Sequence, residues 1–564
     1  MNTKELVALE IKNALEDNLL SINEIEDYLE HPKRDDLGDI SFPTFVLSKI
    51  LHKNPKDIAE ELAKKINVDK FEKVEVVGPY INFFIKKTEF ASNVLHNVLT
   101  EKNNYGDNTI GKDQNVTIDM SSPNIAKPMS MGHLRSTVIG NALANIFAKN
   151  GFNPIKINHL GDWGTQFGKL IQAYKLWGSE EEVKCDPINT LLKYYVKFHK
   201  EAEKDESLND KARAWFTKLE DGDEEATRLW KWFSSESLKE FKSIYDELGV
   251  TFDHYTGESF YNDKMPEIID ILNNKGLLKE SRGVKIVDLD KYNLNPAVIQ
   301  KSDGSSLYIT RDLATALYRK REYNFVQSLY VVGSEQRNHF DQLKAVLKEM
   351  GFEWANDIHY IPFGLITLNG QKLSTRAGRV VLLKDVISDS VNLALEQIKQ
   401  KNPSLQNKEE VAHSVGVGAI IFHDLKNEKI NQFDFDLKEV VHFEGDTGPY
   451  VQYAHARAES ILRKSNCKEI DLNNLSLNDI NSWDIIKQLS RFPEIIVKAM
   501  NEYEPSVIAK YSLNLARSFN KYYGNTKILV EDDYLNARLA LVKSVSIVLK
   551  ESLRLLGVEA PNEM

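Results

Sequence analysis

Apolar positions along this chain recur with two different periods, and the places where one gives way to the other divide it into parts. Met1 to Leu20 and Asn54 to Ile66 carry helical spacing, the second opened by the start signal Asn54-Pro55. Val74 to Ile85 reads as two strands about a Gly-Pro turn, and Ala91 to Leu99 as another helix. The polar stretch Lys102 to Asn108 closes this first part. From residue 111 to about 440, β-rich runs alternate with helices, with strands expected at Val116–Met120, Asn153–Asn158, Leu329–Val332 and Ile358–Leu365. That alternation predicts a doubly wound parallel sheet. A helical, charged and aromatic stretch, about 180–258, interrupts it. Residues 441–564 keep helical patterning with few strand signals, which predicts a bundle. The expected molecule is multidomain α/β. It has a small α+β domain over 1–110, a Rossmann-like domain with a helical insertion over 111–440, and an all-α bundle over 441–564.

Composition narrows the class. The chain has 564 residues, 42% hydrophobic and 27% charged, as globular domains do. Its two cysteines, Cys185 and Cys467, have no Cys or His neighbour at zinc-ligand spacing, so no structural zinc and no metal site is expected. Few cysteines, no apolar signal region and no run of membrane-spanning length together predict a cytoplasmic protein with no membrane partner. A net charge of −11 argues against indiscriminate nucleic-acid binding but leaves room for local basic faces.

The most informative segment runs from Ser121 to Gly140. A β-rich run precedes it. Behind it, Leu134, Val138, Ile139, Ala142, Ile146 and Phe147 follow helical spacing up to the stop signal Asn150-Gly151. Gly132-His133 therefore falls where the helix begins. Free N–H groups and the helix dipole there suit a phosphate, and Gly132 admits a ligand close to the backbone. A second polar loop, Thr367 to Gly378, follows the apolar run Ile361–Leu365, with a turn expected at Asn369-Gly370. In it Lys372 and Arg376 bracket Ser374 and Thr375, an arrangement suited to charge developing on a leaving phosphate.

These two loops resemble the signatures of class I aminoacyl-tRNA synthetases, and the surrounding text resembles the arginyl-tRNA synthetases in particular. The stretches that carry the resemblance are Ser121-Ser-Pro-Asn-Ile-Ala-Lys-Pro128, Gly132-His-Leu-Arg-Ser-Thr137, Gly161-Asp-Trp-Gly-Thr-Gln-Phe-Gly168, Tyr308-Ile-Thr-Arg-Asp312 and Thr447-Gly-Pro-Tyr-Val-Gln-Tyr-Ala-His-Ala-Arg457. The chain departs twice from the pattern. Ser130 stands where the first signature usually has histidine, and Thr375 where the second commonly has a further lysine.

The resemblance implies an ATP site of Ser130, Gly132, His133, Lys372 and Ser374, with His133, Lys372 and Lys127 as catalytic groups. Lys127 is expected to replace the missing lysine, because a phosphate clamp short of one cation needs another. Arginine's guanidinium has only donors, so its pocket needs a carboxylate. Asp312 and Tyr308 lie four apart, within reach of one helical turn, and by resemblance pair with and line the guanidinium. Gln336, Asp119, Ser122 and Asn124 match further arginine-contacting positions. Contacts with tRNA are implied for Tyr80, Asn82 and Phe84 near the N-terminus and for Tyr450, Arg457 and Tyr522 near the C-terminus. Near the end, Asn536-Ala-Arg-Leu539 loosely matches a family motif.

The activity so implied joins L-arginine to tRNA(Arg) through an arginyl-adenylate, using ATP with Mg²⁺ as substrate, in a monomer. The alternatives are another class I synthetase or a non-catalytic tRNA-binding relative. The low cysteine count weighs against the zinc-dependent cysteinyl enzyme, and the presence of His133, Lys372 and Asp312 against a non-catalytic one.

Overall fold

The structure, a computed structural model, describes residues 3–15, 19–32, 34–301, 308–368, 371–372, 381–465, 469–477 and 479–564. They form two compact units, and neither is continuous in sequence.

One unit contains residues 1–105, 457–493 and 514–549. Its sheet has three antiparallel strands, β1 (Ile40–Pro43), β2 (Lys73–Val77) and β3 (Tyr80–Phe84), in the order β1-β3-β2. The two strands expected about Gly-Pro are therefore a hairpin, and β1 completes its other side. Phe42 and Phe83 are fully buried, while helical residues later in the chain supply more of the unit's core, among them Trp483, Leu489 and Phe492. Phe90 packs edge-on to Trp483 with centroids 5.6 Å apart, and the Tyr105 hydroxyl donates to the Leu489 carbonyl at 3.0 Å.

The other unit contains residues 106–456, 494–513 and 550–564. Its main sheet begins with β4 (Asn115–Asp119), β5 (Asn153–Asn158) and β6 (His254–Tyr255). A three-stranded antiparallel meander follows, β7 (Leu278–Ser281), β8 (Val284–Val287) and β9 (Ala297–Gln300). The chain then returns to the main sheet with β10 (Gln327–Gly333) and β11 (Ile358–Phe363). The five strands are all parallel, in the order β11-β10-β4-β5-β6. Connections from β4 run one way and those from β10 the other, so the order reverses between these two strands. A crevice opens at their carboxyl ends, the usual ligand position in such sheets.

Several boundaries shift by a residue or more, and two of these shifts bear on the site. The helix after β4 spans Met131–Lys149, one turn earlier than its apolar spacing indicates, because Ser130 caps it. The strand expected over Ile358–Leu365 ends at Phe363. There the chain changes sheets at Gly364, whose N–H donates to the Lys429 carbonyl at 2.9 Å. A Cβ at Gly364 would lie 2.5 Å from the Ile430 carbonyl oxygen, so only glycine fits this crossing. Beyond it, β12 (Ile366–Leu368) pairs antiparallel with β13 (Gln371–Lys372) and parallel with β14 (Phe433–Asp434).

The insertion is helical as expected, with helices at Glu180–Cys185, Pro187–Ala202, Ser207–Glu220 and Glu224–Glu247. The Gly161–Gly168 segment holds it to the sheet. Trp163 packs edge-on to Trp230, whose indole N–H donates to the Asp162 carbonyl at 2.8 Å.

Candidate active site

The crevice between β4 and β10 is a cleft of about 470 Å³. Eight of the sequence-predicted residues line it: Asp119, Ser122, Asn124, Gly132, His133, Tyr308, Asp312 and Gln336. They come from the end of β4, the loop after it, the start of helix Met131–Lys149, the helix Tyr308–Tyr323 and the turn after β10.

The loop after β4 is held in an unusual backbone shape. Ser121, Ser122 and Ala126 all have positive φ, at 74°, 47° and 60°. Non-glycine residues persist there only when their surroundings over-determine them. Those surroundings are polar and buried. The Ser136 hydroxyl accepts from the Ser121 N–H at 2.9 Å and donates to the Val331 carbonyl at 2.6 Å. The Ser121 and Tyr245 hydroxyls lie 2.8 Å apart, and Asn158 donates to the Tyr245 oxygen at 2.9 Å. Burial pushes the Tyr245 phenol up to about 12, so it stays protonated. The Ser237 hydroxyl accepts from the Ala126 N–H at 3.0 Å. Tyr245 and Ser237 both belong to the last helix of the insertion, which therefore buttresses the loop. Gly161 is needed for the same reason: a Cβ there would lie 2.4 Å from the Asn124 side-chain oxygen.

At the helix start, the Ser130 N–H donates to His133 Nδ1 at 3.0 Å, and the Ser130 hydroxyl lies 3.2 Å from the same nitrogen. With Nδ1 accepting, a neutral His133 carries its proton on Nε2. Burial lowers the His133 pKa, and the charge of Lys127 lowers it further, so the ring is neutral at physiological pH. Ser130 does not line the cleft; its backbone orients the histidine that does. Lys127 is also off the lining, its ammonium 5.8 Å from the Tyr195 ring of the insertion. Ser130 bridges Leu382, and the Leu383 N–H donates to the Met129 carbonyl at 2.9 Å, so the chain after the second signature is sewn to the first. Lys372 lies in β13, opposite Thr367; its side chain, Ser374, Thr375, Arg376 and the Asn369-Gly370 turn lie outside the described residues.

Four carboxylates line the cleft, and three of them, Asp119, Asp312 and Glu258, each face a basic side chain. Asp119 Oδ2 lies 2.7 Å from Nη1 of the fully buried Arg319, and Asp119 Oδ1 accepts from the Ser122 hydroxyl at 3.1 Å. Asp312 Oδ2 lies 2.6 Å from His339 Nε2. Glu258 Oε2 lies 3.3 Å from Arg311 Nη1. Burial lifts the Glu258 pKa to about 7 against the charge of Arg311, with Asp312 and Asp162 adding to the rise. Burial alone would lower the His339 pKa, but the hydrogen bond and charge of Asp312 outweigh it and the net shift is upward.

Sequence reasoning missed Arg319, His339, Glu258, Tyr245 and Ser237. One signal was available for the first: Tyr308, Asp312 and Arg319 fall at i, i+4 and i+11 on one helix face. His339 follows Gln336 by three residues, but nothing local indicates that it meets Asp312. Glu258 reaches the cleft only because the insertion returns there.

In the other unit, Tyr80 and Phe84 are partly exposed on β3. Tyr80 packs edge-on to Phe45 at 5.8 Å, and Lys73 lies 5.2 Å over Phe84. Asn82 between them is buried and accepts from the Ser41 hydroxyl. Arg457 stacks at 4.9 Å on Tyr523, which is exposed, whereas Tyr522 is fully buried in the core. The one-residue difference is a rotation of about 100° on a helix. Asn536 of the loosely matched motif pins a loop, donating to the carbonyls of Asp471 at 2.8 Å and Asn474 at 2.7 Å. Tyr450, at the start of helix Gly448–Lys464 and within the unit that holds the cleft, is partly exposed. Among the described residues no group of three or more potential ligands could hold a metal ion, and no helix is long and apolar enough to cross a membrane.

Comparison with known proteins gives three family matches that together cover most of the chain. The family described as "tRNA synthetases class I (R), catalytic domain" matches residues 94–437. "Arginyl tRNA synthetase N terminal domain" matches 5–85, and "DALR anticodon binding domain" matches 451–564. The chain is 66% identical over 564 residues to a protein of Pediococcus pentosaceus called arginine–tRNA ligase, covering all of both. It is 62% identical over 564 residues, again covering all of both, to one of the same name from Enterococcus faecalis. Among solved structures, the arginyl-tRNA synthetase of Thermus thermophilus superposes with a TM-score of 0.85 at 25% identity over the full length of both chains. The Plasmodium falciparum structure gives 0.83 at 24%, covering all of this chain and 98% of that one.

Proposed function

Since the chain belongs to the class I arginyl-tRNA synthetase family, and so charges tRNA with arginine at the expense of ATP, we propose a role for each part of its cleft. The chemistry is ligation in two steps. The arginine carboxylate attacks the α-phosphate of ATP and expels pyrophosphate. The terminal adenosine of tRNA then attacks the adenylate, through the 2′-hydroxyl that class I membership implies. Neither step needs covalent catalysis by the protein, so positioning and charge stabilisation carry the rate.

Asp312 and Tyr308 take the guanidinium, and Asn124, Ser122 and Gln336 take the α-amino end. Asp119, already committed to Arg319, shapes the floor between them. Gly132 and the helix start receive the ATP phosphates, with His133 donating from Nε2 and Ser130 fixing that tautomer. Lys372 and Ser374 meet the developing pyrophosphate charge, and Lys127 turns toward it once ATP is bound. Mg²⁺ arrives with ATP. The functional domains are 1–110 and 441–564, which hold tRNA, and 111–440, which activates arginine. Tyr80 and Phe84 contact tRNA from β3, which Asn82 steadies. Tyr450, Arg457 and Tyr523 meet it from the C-terminal helices, with Tyr522 packed beneath. The chain works as a cytoplasmic monomer.

The observation that carries this reading is the convergence of Asp312, Tyr308 and the His133 helix start on one cleft. Pyrophosphate exchange with each amino acid, with and without tRNA, tests it. Exchange should depend on arginine alone; its absence with tRNA supplied would overturn the assignment.

A further inference from the structure

The three ion pairs in the cleft are not equivalent. Arg319 and Arg311 cannot shed their charge at any physiological pH, so Asp119 and Glu258 keep their counter-ions permanently. His339 is the one partner that can discharge between pH 6 and 8. Its Nε2 lies 2.6 Å from Asp312 Oδ2, and both side chains line the cleft, 26% and 31% exposed. The imidazole is held edge-on to Phe340 at 5.5 Å, and Phe340 stacks on Tyr360 at 5.3 Å, so the ring stays on Asp312.

An arginine guanidinium brings a full positive charge to Asp312, and a protonated His339 already occupies that charge. We infer that His339 is a positioning residue whose discharge accompanies substrate binding: the guanidinium enters as a cation, and one proton leaves the imidazole. His339 keeps its Nε2–H on Asp312 and gives up the Nδ1 proton to water, so charge balances. This rests on the reading that Asp312 receives the guanidinium.

The other titratable and charged groups lining the cleft with the pair are Asp119 and Tyr330 on the sheet, His133 at the helix start, where burial keeps the ring neutral, His159 beyond β5 and Glu258 from the insertion's end. Tyr308 and Arg311 lie on the facing helix, and Glu335 on the turn preceding His339. Of these, Glu258 is the competitor, because burial has lifted it to about 7 and it too could lose a proton to an arriving cation. Burial lowers the His159 pKa, which leaves that ring neutral and without a proton to release.

The test is isothermal titration calorimetry of L-arginine into the full-length protein, in buffers of different ionisation enthalpy, across pH 6–8. The wild type should release protons, and its Kd should tighten as pH rises, by up to about tenfold per pH unit while the imidazolium predominates. His339→Gln keeps a donor to Asp312 but cannot titrate. Its Kd should be flat with pH and close to the wild-type value at pH 8, and His339→Asn should be flat as well. Proton release that survives in His339→Gln and disappears in Glu258→Gln would overturn the inference. Asp312→Asn separates the two readings. If that variant binds arginine as tightly as the wild type, the placement of the guanidinium fails. If it binds weakly while His339→Gln retains the wild-type pH dependence, only the role of His339 fails.

Discussion

Glu258 shows at the scale of one residue how the pocket holds charge against folding stability. Its carboxyl is raised from an ordinary 4.5 to about 7 by burial, so the folded chain binds its proton more tightly than the unfolded chain does. Between these two values folding takes up a proton, and the native state loses ground as pH rises through the window. The full penalty above pH 7 is about 3 kcal/mol. Glu258→Gln removes the titration. Comparing urea unfolding of both proteins without ligand at pH 5 and pH 8, the wild type should lose stability relative to the variant as pH rises. Equal pH dependence in the two would show that Glu258 is ionised throughout. Asp312 and Tyr308 were named in the sequence by the family resemblance, and their spacing of one helical turn agrees with the way both line the cleft. Glu258 and His339 were not, because their partners come from other elements and only tertiary packing brings them together.

Between elements, the helix Met131–Lys149 is tied to the helix Lys408–Lys426 by a fully buried pair, Arg135 Nε to Asp424 Oδ2 at 3.2 Å. Arg135 also donates to the carbonyls of Gly364 and Asn431, so it fixes the point where the chain leaves one sheet for the next. This crossing explains why the strand expected up to Leu365 stops short. The local pattern stayed apolar, but β12 pairs with a strand 67 residues further along, Ile366 opposite Phe433, and no local spacing encodes that. The strand Asn153–Asn158, by contrast, came out as expected, because it is paired on both sides within one sheet. His423, on the second of these helices, packs against Phe433 at 5.2 Å and Phe435 at 5.8 Å. Burial there lowers its pKa to about 4. Its neutral form is the folded form, so the stability it contributes is full above about 6.5 and is lost as pH falls from there through 4. The loss is about 3 kcal/mol. Measured against His423→Leu, which keeps Glu258 and every other titrating group, the wild type should therefore lose urea resistance as pH falls from 7 to 5. A difference between the two proteins that is the same at both pH values would mean that the ring is protonated in place.

At the scale of the whole molecule, the order of segments along the chain is a poor guide to which of them fold together. Hydropathy shows that the last part is helical, but it cannot show that residues 457–493 and 514–549 share a unit with 1–105. The contacts responsible span hundreds of residues: Trp483 against Phe90, Phe492 stacked on Tyr105 at 6.2 Å, and Lys87 lying 5.8 Å over Trp483. Burial of large aromatics contributes roughly 2 kcal/mol each, so these contacts are a substantial share of the stability of one unit. Removing residues 1–105 should therefore do more than delete a tRNA contact. It should uncover Trp483 and Phe492 and loosen the helices that carry them. Limited proteolysis read by mass spectrometry should place the first cuts of the shortened chain within 457–493 or 514–549, while the full chain resists there. Charging of tRNA should be lost, and arginine binding at the cleft should persist, since every residue lining it belongs to the other unit. Helices of the shortened chain as protease-resistant as those of the full chain would show that they fold without the N-terminal sheet, and the composite unit would then be two.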